Sequence, residues 1–147
     1  MPTHRRHKLK LLIAALCAAA LVAAGCGDSY RDDVKAASEE FQESTQAAFA
    51  KYRNARTKKQ FTAGVNDFQA AIRNFNGKLE KLDPPDDAKD EQDRLIKVLN
   101  DFSADMGATR DALNKGDVAQ LQTLQGKVTK DVGAVRSAAQ ALDKASE

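Results

Sequence analysis

The sequence predicts an all-α protein, an antiparallel up-down-up-down four-helix bundle that follows a cleaved export signal. Beyond residue 28, four long segments carry apolar residues at steps of three and four, which is the period of an α-helix with one buried face. No segment alternates with the period of two that strands need. Short connections favour consecutive helices that run in opposite directions, so the four segments are expected to close into a bundle about 40 Å long.

The first 25 residues have the pattern of an export signal. Arg5, Arg6, Lys8 and Lys10 precede an uncharged run of small and aliphatic residues from Leu11 to Ala24. This run is about 14 residues long, whereas a membrane-spanning helix needs roughly 20, and it ends in small residues, as cleavage sites do. We therefore predict that residues 1–25 are removed.

The junction Ala23-Ala24-Gly25-Cys26 resembles the lipobox of bacterial lipoproteins. In that pattern, small residues precede a Cys that receives a diacylglyceryl group and becomes the acylated N-terminus after cleavage. The resemblance implies that Cys26 is the lipidation site, that residues 26–28 form a short tether, and that the lipid holds the protein on the extracytoplasmic face of the cell membrane. Ala23 departs from the family, which more often has Leu there. An ordinary secretory signal with a free Cys nearby is the alternative.

Removal of the signal changes the charge of the chain. The signal holds four of the 23 Lys and Arg and none of the 21 Asp and Glu, so residues 26–147 carry 19 bases against 21 acids, a net charge of −2. This balance gives no general reason to expect nucleic-acid binding. Both His residues and Cys17 also lie in the signal. Disulfides and Cys/His metal sites are thereby excluded, and we expect no cofactor.

The first two helices are predicted over residues 29–55 and 58–82. Thr57 and Gln60 have the spacing of a capping box that opens a new helix, although one bent helix is the alternative. The helix is expected to continue through Asn76-Gly77, because the apolar register is kept beyond it. The first apolar stripe is Tyr30, Val34, Ala37, Phe41, Thr45, Ala48, Tyr52 and Ala55, and the second is Phe61, Val65, Phe68, Ile72, Phe75, Leu79 and Leu82.

The third and fourth helices are predicted over residues 84–114 and 117–145. Pro84 disfavours a helical Asp83, and both prolines fit the first turn of the next helix. Gly116 and Asp117 then supply a C-terminal Gly and an N-cap. The third stripe is Ala88, Gln92, Leu95, Leu99, Phe102, Met106, Thr109 and Leu113, and the fourth is Leu121, Leu124, Val128, Val132, Val135, Ala139 and Leu142.

The order of these elements from about Thr57 onward carries a second resemblance. A capped, Phe-led helix is followed by Leu-Asp-Pro-Pro, an amphipathic helix, Gly116-Asp117 and a final helix. With its lipobox, the chain resembles uncharacterised small helical-bundle lipoproteins of high-GC Gram-positive bacteria, mainly through Pro84-Pro85 and Gly116-Asp117. The resemblance implies a helical bundle outside the cytoplasmic membrane and implies no activity.

Catalysis is not expected. Six of the eleven residues from Asp83 to Asp93 are acidic, which raises the alternatives of a paired-carboxylate site and a Ca²⁺ site. Their spacing matches no EF-hand loop. Acids in the first turn of a helix complement its macrodipole, so we interpret them as a solvated first turn. Without a His or a second Cys, no Ser-His or Cys-His nucleophile can form.

Two non-enzymatic functions are open, an interaction module of the cell envelope and a carrier that holds a small apolar ligand or lipid within the bundle. For the carrier, glycines inside the helices would indicate a loosely packed core, although small residues equally allow helices to approach closely. These glycines are Gly64, Gly77, Gly107, Gly126 and Gly133. A structural coiled coil would need unbroken heptads, which Asp83-Pro84-Pro85-Asp86 interrupts. We favour the interaction module.

The candidate partner-binding surface is a cluster of five bases that we call the basic tip. It consists of Lys51, Arg53, Arg56, Lys58 and Lys59. The chain carries no acid between Glu43 and Asp67, and the predicted topology places this corner far from the lipid. An envelope protein or an anionic envelope polymer is the expected partner. The alternative is that these bases only offset a helix dipole.

Overall fold

A computed structural model describes residues 29–146, which form four α-helices joined by short connections. The helices are α1 (Ser29–Arg53), α2 (Lys58–Leu79), α3 (Asp86–Lys115) and α4 (Val118–Ala145). This part of the chain contains no strand, so the all-α helical bundle is confirmed. None of its helices is long and apolar enough to cross a membrane. The predicted signal peptide, Cys26 and the tether at 26–28 lie outside the described residues.

The break between α1 and α2 follows the predicted capping box. The Thr57 hydroxyl accepts a hydrogen bond from the Gln60 backbone N–H, and the Gln60 side chain accepts one from the Thr57 backbone N–H. The single bent helix is therefore ruled out. α1 ends at Arg53, two residues before the predicted end at 55.

Prediction and structure differ around the two prolines. α2 ends at Leu79 and not at 82. Before Pro84, the backbone changes from α-helical hydrogen bonds to i→i−3 hydrogen bonds, such as Leu82 N–H to Leu79 C=O. α3 begins at Asp86, with Pro85 as a non-helical N-cap at φ −59 and ψ 155. The prediction that both prolines occupy its first turn was wrong. Pro84 precedes another proline, and such a residue is forced out of the helical region.

The connection between α3 and α4 is built as predicted, with each helix boundary shifted by one residue. Gly116 adopts the left-handed conformation at φ 75, where a side chain would be strained, and it ends α3 after Lys115. The Asp117 side chain accepts a hydrogen bond from the Gln120 N–H and caps α4, which begins at Val118. The two helices are therefore joined by two residues only.

Most residues of the four predicted stripes form the core, whereas Ala55, Thr109, Leu113 and Leu121 are only half-buried and lie outside it. On α4, Ala138 is fully buried and the predicted Ala139 is only half-buried, so the contact face there is rotated slightly. The largest side chains that are almost completely buried are Ile72, Leu79, Leu99, Leu142 and Val65.

Between α1 and α2, and between α2 and α3, the contacts pair rising residue numbers on one helix with falling ones on the next. Phe41 and Phe75 stack at 4.7 Å between ring centroids, whereas Tyr52 contacts Phe61 at 5.0 Å. Between α2 and α3, the ring of Phe68 meets Phe102 edge to face at 5.6 Å, and Asn76 Nδ2 donates to Asn100 Oδ1 at 2.9 Å. At one end of the bundle, Tyr30 Oη donates to Gln92 Oε1 at 2.8 Å, which joins the first turn of α1 to α3.

Candidate functional site

The basic tip surrounds the connection between α1 and α2. Lys51 and Arg53 lie in the last turn of α1, Arg56 lies in the connection, and Lys58 and Lys59 open α2. All five residues are exposed. The capping box at Thr57 separates the two helices, and all five bases lie within residues 51–59 around this connection.

The connection between α3 and α4 lies beside the basic tip. Lys58 Nζ donates to the Asn114 carbonyl at 3.2 Å, and Asn114 Nδ2 donates to Thr62 Oγ1 at 3.4 Å. The exposed Lys115 follows directly after Asn114. Both connections therefore meet at the same end of the bundle.

Two of the five bases have partners within the bundle. Lys51 Nζ lies 2.7 Å from Asp67 Oδ2, although the sequence between Glu43 and Asp67 has no acid. An acid-free interval does not leave Lys51 unpaired, because Asp67 of α2 contacts it from the neighbouring helix. Lys58 donates to a carbonyl in the last turn of α3, where a cation offsets the helix dipole. For this residue, the contact agrees with the alternative that the bases only offset a dipole.

The other three bases have no such internal partner. The side chains of Arg53, Arg56 and Lys59 make no hydrogen bond or ion pair with any other residue in 29–146, and only the backbone N–H of Arg56 is used, by Gln60 Oε1. Three exposed cations on one corner are therefore not needed to hold the bundle together. They are the part of the basic tip whose charge is not used within the described bundle.

Half-buried aromatic rings lie close to the connection between α1 and α2. Phe49 stacks on Tyr52 at 6.2 Å, and Tyr52 meets Phe61 at 5.0 Å. Burial raises the pKa of Tyr52, so its phenol is neutral at physiological pH. Gly64 allows this packing, because a Cβ added there would lie 3.0 Å from the backbone N and Cα of Tyr52. Gly64 therefore lets α1 and α2 approach each other closely next to the basic tip.

The acidic segment from Asp83 to Asp93 lies at the other end of the bundle. It is placed there by the hydrogen bond between Tyr30 and Gln92, and the 25 residues of α1 span about 37 Å between this end and the basic tip. Asp86 and Asp87 lie in the first turn of α3, where carboxylates complement the helix dipole. In residues 29–146, no group of three or more His, Cys, Asp or Glu is arranged to hold a metal ion.

The glycines do not support the carrier hypothesis. Gly126 and Gly133 are exposed and Gly77 is half-buried, and a Cβ at any of the three would meet no atom within 4 Å. Gly64 and Gly107 are buried, but each lies against a neighbouring helix, and a Cβ at Gly107 would lie 2.9 Å from Gln69 Nε2. The glycines therefore mark close helix approach and exposed helix surface.

Sequence reasoning missed a pair of carboxylates between α3 and α4. Asp131 is half-buried, and its Oδ2 atom is buried without a hydrogen-bond donor. Burial raises the pKa of Asp131, and the nearby carboxylates Asp105 and Asp101 raise it further. The charge of Lys127 lowers the pKa of Asp131 by a smaller amount, and Lys127 Nζ lies 3.8 Å from Asp105 Oδ1. In the sequence, Asp101 and Asp105 are four residues apart and therefore lie on the same face of α3. Whether Asp131 comes close to them depends on how α4 packs against that face.

The chain matches no protein-family model, no curated protein and no solved structure. Function must therefore be inferred from the chain's own residues. The relevant features are a core filled by the predicted apolar stripes, an acidic segment at one end, and three unpaired cations at the other.

Proposed function

We propose that this chain is a lipid-anchored, extracytoplasmic protein whose helical bundle is a non-catalytic interaction module of the cell envelope. The anchor is supported by the small residues before Cys26 and by the absence of any later Cys from the sequence. Two or three acyl chains at Cys26 would hold the protein at the membrane, where a single chain gives only marginal binding.

We infer that the bundle has the antiparallel up-down-up-down arrangement. It is supported by pairs of contacts in which residue numbers rise on one helix and fall on the next, Phe41–Phe75 with Tyr52–Phe61 and Thr62–Asn114 with Asn76–Asn100, and by the two-residue connection between α3 and α4. α1 begins at Ser29, three positions after Cys26, and runs for about 37 Å. In this arrangement the acidic segment faces the membrane and the basic tip points away from it.

The observation that carries this proposal is the set of unpaired cations Arg53, Arg56 and Lys59. Their charge does not stabilise the bundle through any internal ion pair, and they are grouped at the end most distant from the proposed anchor. An envelope protein with an acidic face, or an anionic envelope polymer, is the partner that this charge would attract. Because the charges are exposed, we expect binding to weaken as salt rises.

The test is capture of partners from envelope extracts with a charge-reversed bundle. Arg53, Arg56 and Lys59 are changed together to Glu, while Lys51 and Lys58 are kept because they contact Asp67 and Asn114. The matched control reverses three exposed bases elsewhere, Arg73, Lys89 and Lys130, and so makes the same change in net charge.

We expect the tip variant to lose capture and the control to keep it, with both variants retaining cooperative thermal melting. Capture that is equal in the native protein and in the tip variant would contradict the proposal. Equal loss in both variants would also contradict it, because net charge and not the tip would then explain binding.

A further inference from the structure

The basic tip has an apolar neighbour. Val118 is the exposed large hydrophobic residue of the described chain, with 64% of its surface accessible. It opens α4, four positions after Asn114, whose carbonyl binds Lys58 of the tip. Near the end of α1, Phe49 is half-buried, stacks on Tyr52 and lies outside the main core. Apolar surface and unpaired cations are therefore found at the same end.

This combination distinguishes between two kinds of anionic partner. A polymer that carries only negative charge would bind through the cations and would make no use of the apolar surface. An exposed valine gains free energy on binding only if apolar surface covers it. A second copy of this chain, joined tip to tip, would set bases against bases, which is unfavourable.

We propose that the partner of the basic tip is a protein face on which acidic side chains surround at least one apolar side chain. This inference rests on the proposed function of the tip and specifies its partner. Carboxylates of the partner pair with Arg53, Arg56 and Lys59, and the two guanidinium groups donate to them in the bidentate geometry that such groups favour. The apolar side chain of the partner covers Val118.

The experiment uses the full chain in neutral detergent and three soluble probes of matched length: polyglutamate, a glutamate–tyrosine copolymer and polyphosphate. Affinities are measured by titration at one low salt concentration. We expect the copolymer to bind about tenfold more tightly than polyglutamate, since covering one valine contributes on that order. Val118→Ser should remove this difference, and the control Ala104→Ser, an exposed position on α3, should preserve it.

Each other outcome has a definite meaning. Equal affinity for the two polypeptides, or a Val118→Ser variant that still prefers the copolymer, would overturn the inference and leave the cationic tip intact. Polyphosphate binding more tightly than the copolymer would also overturn it, in favour of an anionic polymer. Unchanged affinity for all three probes after reversal of Arg53, Arg56 and Lys59 would overturn the proposed function itself, as would the absence of binding to any probe.

Discussion

The two ends of the bundle are built differently. At the acidic end, Leu79, Ala88, Ala138 and Leu142 are at most 2% exposed, and Tyr30 closes the core with a buried hydrogen bond to Gln92. At the basic tip, the aromatic rings are half-exposed and Val118 is open to solvent. Buried apolar side chains stabilise the fold, whereas exposed apolar and charged side chains remain accessible to other molecules. The acidic end is thus closed by buried side chains, whereas the basic tip leaves apolar and charged side chains exposed to solvent.

The largest expected effect concerns which end is held at the membrane. Cys26→Ser should remove the lipid, so that the protein is released or accumulates as an uncleaved precursor. Cell fractionation with metabolic labelling by a radioactive fatty acid measures both results. A Cys26→Ser protein that still fractionates as a mature membrane protein would refute the anchor and, with it, the outward direction of the basic tip.

A pair of leucines on α4 compares the stability of the two ends. Leu142→Ala at the acidic end should cost about 2–5 kcal/mol, because the side chain is 2% exposed and its removal leaves a cavity. Leu121→Ala beside the tip should cost about 1 kcal/mol, since Leu121 is only half-buried. Urea unfolding followed by circular dichroism gives both values. Equal losses would show that the two ends are packed alike.

Two glycines test the close approach of α1 and α2 under the tip. Gly64→Ala should destabilise by about 1–3 kcal/mol, because its Cβ would lie 3.0 Å from the Tyr52 backbone. Gly133→Ala is the matched control, with open space around it, and should stabilise by up to about 1 kcal/mol through helix propensity. The signs of the two changes in melting temperature should therefore be opposite. Stabilisation by both would mean that α1 and α2 separate easily at this point.

The smallest expected effect depends on pH and lies between the two ends. The folded protein raises the pKa of Asp131, so this group favours folding fully only when it is protonated, and the benefit is lost as pH rises through the folded pKa. Asp131→Asn should therefore raise the melting temperature at about pH 7, and the gain should shrink at about pH 3, below the ordinary pKa of an Asp.

Asp111→Asn is the control with the opposite sign. A hydrogen bond from the Arg110 side chain lowers the pKa of Asp111, so its contribution is present above the ordinary Asp pKa and is lost on acidification. This variant should be slightly less stable than the native protein at neutral pH and equal to it in acid. An Asp131→Asn gain that does not vary with pH would show that the carboxylate charge is not its cause.

Features that depend on a few neighbouring residues could be predicted from the sequence. The capping box of Thr57 and Gln60 and the Gly116-Asp117 junction are of this kind, because each is closed by hydrogen bonds within about four residues. The end of α2 at Leu79 was missed, since the tightening before Pro84 depends on how far the effect of the proline extends.

Features that depend on helix packing could not be predicted. Lys51 meets Asp67, and Asp131 meets Asp105, only after two helices adopt one register. Both pairs lie at the edges of contact faces, where a shift of one residue would separate them. For the same reason, the sequence identified the five bases of the tip but could not distinguish the two internally used ones, Lys51 and Lys58, from the rest.

The most direct test of the outward-facing basic tip is photo-crosslinking in intact cells from one position at each end. Asn54, in the exposed connection beside Arg53, and Asp90, in the acidic segment, are each replaced by a photoreactive amino acid. We predict a specific protein adduct from position 54 that is absent from position 90 and disappears when Arg53, Arg56 and Lys59 are reversed to Glu. The same adduct from position 90, or an adduct from position 54 that survives the reversal, would contradict the account.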